Sequence, residues 1–275
     1  MWVGRMPELP EVESVVRTLR DGRPTLIGAR IRSVVPVWPG VLSRPSPVED
    51  LAQLEGCCFA SIGRLGKYLI FGLDCPAGQA PYLVVHLRMT GHLSLVPDSA
   101  ALERHTRLAL MLDHGLALRF DDPRKFGRVW LTDAPETVTG GMGPDALDVS
   151  ADEFAARLVG HRRQLKPLLL DQSFVAGIGN IYADESLFRA GLHPLTTSAD
   201  LLPDGIRSLH TAVVAVLGEA VAAGGANIDG VFKVGSFVVQ VYGREGAPCR
   251  VCGTAISKIR VGQRGTHFCG RCQAP

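Results

Sequence analysis

Two places in the chain carry residues whose type and spacing could do chemistry. The first is RMPELPEVE, from Arg5 to Glu13. As an internal segment it is a proline-led entry into a helix, with acidic residues in the first turn where the helix dipole favours them. If the polypeptide instead starts at Met6 and loses that methionine, Pro7 presents a secondary amine next to the carboxylate of Glu8. An α-amino group has a pKa of roughly 8 against about 10.4 for lysine, so far more of it is free base at neutral pH. Such a nitrogen is a nucleophile suited to imine chemistry, which a tertiary amide cannot perform. The second place is Cys249-x-x-Cys252 and Cys269-x-x-Cys272, separated by sixteen residues. Two ligands from each of two turns is the spacing of a tetrahedral zinc site, and four thiolates leave no open position, so one structural Zn²⁺ is expected. A redox pair or two disulfides fit the matched pairs less well.

These residues need elements to position them. Val12, Val15, Val16 and Leu19 recur at helical spacing and Asp21-Gly22 suits a helix end. From about Ala29 to Thr132 the runs ARIRSVVPVW, YLIFGL, PYLVVHLRM, RLALMLDHGLALRF and RVWLT are short and β-rich, punctuated by proline, glycine and an Asp113-His114-Gly115 turn. That is the signature of a sandwich or barrel. After Gly140-Gly141-Met142-Gly143-Pro144 the period turns helical, with segments near Asp152 to Val159, Lys166 to Gln172, Ile181 to Ala190 and Pro203 to Ala223. The expected organisation is an N-terminal domain over 1–145, a helical domain over 146–248 and a cysteine module over 249–275.

The 275 residues, 46% of them hydrophobic, can fill more than one core, and a formal net charge of +2 does not by itself imply a polyanionic partner. The tail from Cys249 is nevertheless basic, with Arg250, Lys258, Arg260, Arg264 and Arg271 and no acid. The opening MWVGRM lacks a signal-peptide core, and the apolar stretch from Ala212 to Ala226 is cut by Glu219 and glycines. A soluble cytoplasmic protein is expected. Cys57, Cys58 and Cys75 are scattered, and neither they nor the eight histidines suggest a second metal site. In KPLLLDQSFVAGIGNIYADESLFRAGLHP, from Lys166 to Pro194, two helices meet at Phe174 to Gly179. Asn180 stands where an N-cap belongs, and glycines 177 and 179 would leave N–H groups uncovered for a phosphate.

Across Met6 to Gln273 the blocks MPELPEVE, GKYL, HLRMTG, DPRKFG, GIGNIYADE, VYGREGAPC and the cysteine module occur in order. In these blocks the chain resembles the formamidopyrimidine-DNA glycosylase and endonuclease VIII family. The resemblance implies an α+β protein: an N-terminal β-sandwich with a leading helix, a helical domain with a helix-two-turn-helix, and a C-terminal β-hairpin zinc finger. It implies a bifunctional glycosylase and abasic-site lyase that acts through a Schiff base on Pro7, with Glu8 as acid, Glu11 orienting the site and Lys67 reaching the damaged base or its phosphate. The family motif begins at Met6, so Met1 to Arg5 are expected to be absent from the working protein; if they persist, Pro7 is masked and a non-catalytic damaged-DNA binder remains. Lys166, Asn180 and Arg264 resemble the phosphate-gripping set, and Tyr182 and Glu185 the lining of a base pocket. Met89, Arg124 and Phe126 resemble the trio that fills the space of an extruded nucleotide. That trio points to oxidised purines in double-stranded DNA, such as 8-oxoguanine and formamidopyrimidines, over the oxidised pyrimidines of an endonuclease VIII-like enzyme. The loop between Gly225 and VYGR is several residues shorter than is usual for this branch. A monomer associated with the nucleoid is the expected state.

Overall fold

In the computed structural model, residues 6–43, 48–76, 81–226 and 235–274 are described. Met1 to Arg5 and the centre of the loop after Gly225 lie outside them. The chain forms two compact units. One contains Val12–Gly141 and the residues up to Pro7, and the other contains Glu8–Glu11 with everything from Met142 onward.

The first unit holds most of α1 (Leu9–Asp21) and eight strands: β1 (Ile31–Val35), β2 (Cys58–Leu65), β3 (Tyr68–Asp74), β4 (Tyr82–His86), β5 (His92–Pro97), β6 (Thr106–Leu112), β7 (Leu116–Asp121) and β8 (Arg128–Thr132). They pair antiparallel as two four-stranded sheets, β1-β6-β7-β5 and β2-β3-β4-β8. Phe71, Leu83, Val85 and Val129 of one sheet and Leu93, Leu108, Leu110, Leu118 and Phe120 of the other line one apolar space, which makes the pair a sandwich. Strands β2 and β5 fall outside the runs that the sequence singles out, because CFASIGRL and HLSLVP mix small and polar residues into the alternation. Cys57 and Cys75 flank the paired ends of β2 and β3 and are joined as a disulfide, with Cα atoms 4.1 Å apart. The scattered cysteines are therefore not all free thiols.

The first unit ends with a short α2 (Glu136–Thr139), and the second holds α3 (Ala151–Val159), α4 (Leu165–Leu169), α5 (Asn180–Ala190), α6 (Pro203–Ala222) and the hairpin β9 (Ser257–Val261) with β10 (Arg264–Phe268). Its core joins Leu9, Phe154, Leu165, Ile178, Leu187, Leu209, Val213 and Leu217. Helix α6 is long and apolar enough to cross a membrane by length and composition alone, a test that a core helix also meets. Its Ile206, Leu209, Val213, Val216 and Leu217 face are buried in this core while Arg207, Ser208 and Glu219 are exposed. Helix α4 stops short of Gln172 because side chains take over the backbone there. Gln172 donates to the carbonyls of Leu170 and Ile178 and accepts the Gly177 N–H, and Asp171 accepts from the Ser173 N–H and hydroxyl.

Candidate active site

The start of the chain is built into the helical unit by two carboxylates. Glu8, 3% exposed, accepts the N–H of Ile181 at 2.9 Å and of Tyr182 at 3.3 Å, so its side chain closes the N-terminus of α5. Asn180 is not the cap that the sequence suggests. It is the first helical residue and Gly179 occupies the cap position; Glu8 takes the N–H groups of Ile181 and Tyr182, and Gln172 takes that of Gly177. Room for this comes from the glycines: a Cβ on Gly179 would lie 2.2 Å from Glu8 Cδ, and one on Gly177, at φ +107°, would lie 2.4 Å from Leu9. Glu11 accepts the Glu8 N–H at 2.9 Å, the Tyr182 hydroxyl at 2.6 Å and the Ala226 N–H at 2.9 Å. Gly225, at φ +94°, leaves space for that carboxylate. Burial raises the Glu11 pKa above the usual carboxylate range against the pull of these bonds, and it raises that of Tyr182 as well, so the phenol stays a donor. Pro7, immediately before this anchored segment, is buried.

The hairpin carries its cation at the tip. Gly262 and Gln263, with φ of 52° and 63°, make a two-residue turn, and Arg264 follows it, exposed. Behind the tip, the carbonyl of Gly265 accepts from the Lys166 ammonium at 2.9 Å and the Asn180 amide at 3.1 Å. Lys166 is 0% exposed and pairs with Asp184 at 2.6 Å, while Asp184 also accepts the His267 N–H. Burial lowers the Lys166 pKa, which Asp184 opposes. Lys166 is thus paired with Asp184 and, with Asn180, holds the strand that presents Arg264. Glu185 accepts the N–H groups of Gln240, Val241 and Tyr242 at 2.8, 2.9 and 2.8 Å. The Sγ atoms of Cys249, Cys252, Cys269 and Cys272 lie within 4.8 Å of one another. Tetrahedral Zn–S bonds of about 2.3 Å require sulfurs roughly 3.8 Å apart, and the pairs Cys252–Cys269 and Cys249–Cys272 stand at 3.4 and 3.9 Å. The four cysteines fit one structural zinc ion.

In the sandwich, Gly66 at φ 54° turns β2 into β3 and leaves Lys67, 8% exposed, at the turn. Tyr68 pairs with His86 across β3 and β4. The His86 Nδ1 accepts the Arg88 N–H at 3.0 Å, which puts its proton on Nε2. Burial, Arg88 and Lys67 pull its pKa down to about 3, so the ring is a neutral donor. Met89, Arg124 and Phe126 do come together: Arg124 donates to the Met89 sulfur at 3.4 Å and its guanidinium lies 4.6 Å from the Phe126 ring centre. Sequence reasoning passed over Asp184, His86 and Asp122, although the last two open the blocks HLRMTG and DPRKFG.

A helical hairpin followed by a zinc-binding β-hairpin places the chain in the class of helix-two-turn-helix proteins with a zinc finger. Its residues 6–129 match the formamidopyrimidine-DNA glycosylase N-terminal domain, 141–230 the formamidopyrimidine-DNA glycosylase H2TH domain, and 246–275 a zinc finger found in FPG and IleRS. The chain belongs to the formamidopyrimidine-DNA glycosylase family. It is 44% identical over 285 residues to a formamidopyrimidine-DNA glycosylase of Rippkaea orientalis, covering 98% of this chain and 100% of the relative. To that of Bacillus subtilis it is 42% identical, covering 98% and 99%. Among solved structures, Lactococcus lactis Fpg bound to DNA containing an abasic site superposes with TM-score 0.88 at 34% identity, covering 98% of this chain and 100% of that one. MutM in complex with DNA containing carbocyclic 8-oxo-G gives TM-score 0.86 at 34% identity with the same coverage.

Proposed function

We propose that this protein removes oxidised purines, 8-oxoguanine and formamidopyrimidines, from double-stranded DNA and cuts the strand at the abasic site that results. The Pro7 nitrogen, free once Met6 is gone, attacks C1′ of the lesion nucleotide. The glycosidic bond breaks, and the base leaves with its electron pair and takes up a proton. Glu8 protonates the ring oxygen as the sugar opens, and the nitrogen lone pair closes to an imine. Loss of a C2′ proton then expels the 3′ phosphate, and a second elimination expels the 5′ phosphate. The observation that carries this reading is Glu8 itself, an acid buried to 3% exposure, held by two N–H groups of α5 and joined directly to Pro7. Glu11 and Tyr182 fix the same segment from the other side.

Lys67 and the Nε2–H of His86 bind the lesion's phosphate or base, and Arg264 grips a backbone phosphate, with Lys166 and Asn180 holding its strand. Met89, Arg124 and Phe126 enter the stack that the nucleotide leaves. The zinc ion shapes the hairpin and takes no part in the reaction. The protein works as a monomer in the cytoplasm, on nucleoid DNA. Excision of 8-oxoguanine opposite cytosine, compared with thymine glycol in the same duplex, tests the substrate. Faster release of thymine glycol would overturn the purine reading. Lys67→Ala should slow base removal more than cutting at a preformed abasic site, and equal losses would refute its role.

A further inference from the structure

Two loops of the sandwich carry the trio of half-buried Met89 and exposed Arg124 and Phe126: Leu87 to Gly91 after β4, and Asp122 to Gly127 between β7 and β8. Each has one residue other than glycine in the left-handed region, Arg88 at φ 55° and Lys125 at φ 60°, beside the side chains it displays. Such conformations are unfavourable for a residue with a Cβ and persist where the surroundings impose them. The Arg88 N–H is held by His86 Nδ1 and the Lys125 N–H by the Asp122 carbonyl, and a single carboxylate, that of Asp122, ties the two loops together.

Asp122 is 1% exposed. Its Oδ1 accepts a short hydrogen bond from the Thr90 hydroxyl and another from the Arg124 N–H at 3.1 Å, and its Oδ2 accepts the Gly127 N–H at 2.7 Å. Its carbonyl accepts from Arg107 Nε at 2.7 Å and the Lys125 N–H at 3.3 Å, and its N–H donates to His105. Underneath, both loops rest on one ring. A Cβ on Gly91 would lie 2.9 Å from Phe120, and one on Gly127 2.4 Å from it. The glycines of HLRMTG and DPRKFG thus let both loops close on Phe120 while Asp122 ties them. Above the tie, Arg124 touches Met89 and Phe126, the latter 45% exposed.

We infer that Asp122 is a positioning residue that fuses the two loops into one preassembled wedge for the duplex, with Thr90 as its link to the Met89 loop. This rests on the reading above that the trio enters the stack. A wedge ordered before contact loses no further conformational entropy on insertion, whereas two independent loops would. Aspartate suits the task because three donors converge on two acceptor oxygens. Asparagine keeps the shape but turns an NH₂ toward one of those donors.

The test compares full-length Asp122→Asn, Thr90→Val and Phe126→Ala with the parent protein by the ratio of two rates. One is single-turnover excision of 8-oxoguanine from a duplex, where a void must be filled. The other is strand cutting at an abasic site in a single-stranded oligonucleotide, where there is none. A 2-aminopurine beside the lesion reports extrusion in the duplex directly. Misplacement of such a group by about 1 Å costs on the order of 100-fold, so D122N should lower the ratio about 10- to 100-fold with a matching loss of the fluorescence rise. T90V, which removes one hydroxyl and leaves the Asp122 loop its own bonds, should lower the ratio about three- to tenfold. It serves as the test if D122N does not fold. A lowered ratio in F126A alone, with D122N and T90V at the parent value, overturns the inference. Equal falls on both substrates would mean a purely structural role and overturn it too. A parental ratio in F126A itself would refute the stack-filling reading, and the inference with it.

Discussion

Gly179→Ala isolates the contribution of the Glu8 anchor. The backbone of Gly179, at φ −127° and ψ −162°, is open to alanine, so strain of the main chain does not enter. The added methyl would lie 2.2 Å from Glu8 Cδ and 2.4 Å from Oε1, against 3.4 Å or more in an ordinary contact, a required retreat of about 1.2 Å. That exceeds what hydrogen bonds of 2.9 and 3.3 Å to Ile181 and Tyr182 can absorb, so both are lost or rearranged. Leaving buried hydrogen-bonding groups unsatisfied costs about 1 to 3 kcal/mol, and the melting temperature should fall by roughly 3 to 10 °C. The reaction suffers more, since a shift of about 1 Å in a catalytic group corresponds to about 100-fold in rate. Single-turnover excision of 8-oxoguanine and cutting at a preformed abasic site should both fall by that order, because the acid serves the step that the two share. Rates within twofold of the parent, in a variant that folds, would refute the placement of Glu8.

Lys166→Met should destabilise the helical unit by about 3 to 5 kcal/mol in urea unfolding, because it strands the buried Asp184 carboxylate. It should leave the salt dependence of DNA binding unchanged, whereas Arg264→Ala should reduce the slope of log K against log salt by about one phosphate contact. Glu11 has its pKa raised from 4.5 in the folded protein, so the fold binds that proton more tightly than the unfolded chain does. Its contribution is complete below pH 4.5 and is lost as pH rises through the folded-state value, so stability curves of the parent and Glu11→Gln should diverge over that window. Chelation should release one zinc per chain and abolish DNA binding, and zinc analysis with a band-shift assay checks both.

The elements that follow a strong local period were legible in the sequence. Helices α1, α3 and α6 follow from apolar spacing, and the zinc site follows from cysteine spacing, because in each case the determining contacts are local. What escaped depends on partners far apart in the chain. The cap of α5 comes from Glu8, 173 positions before Ile181, so the local rule that nominated Asn180 chose the nearest polar residue and missed the actual one. Nothing near Lys166 in the chain announces that Asp184 and the Gly265 carbonyl will be brought beside it. Cys57 and Cys75 look unrelated until β2 and β3 pair in register. Asp122 opens the DPRKFG block, yet only the fold brings three donors to its carboxylate.

The imine at the start of the mature chain is tested most directly by borohydride reduction during turnover of an 8-oxoguanine duplex, followed by proteolysis and mass spectrometry of the cross-linked peptide. The account predicts a stable protein–DNA adduct whose modified residue is Pro7, with no residue ahead of it. An adduct on Lys67 or another amine, or efficient cutting by a chain that retains Met6, would contradict it.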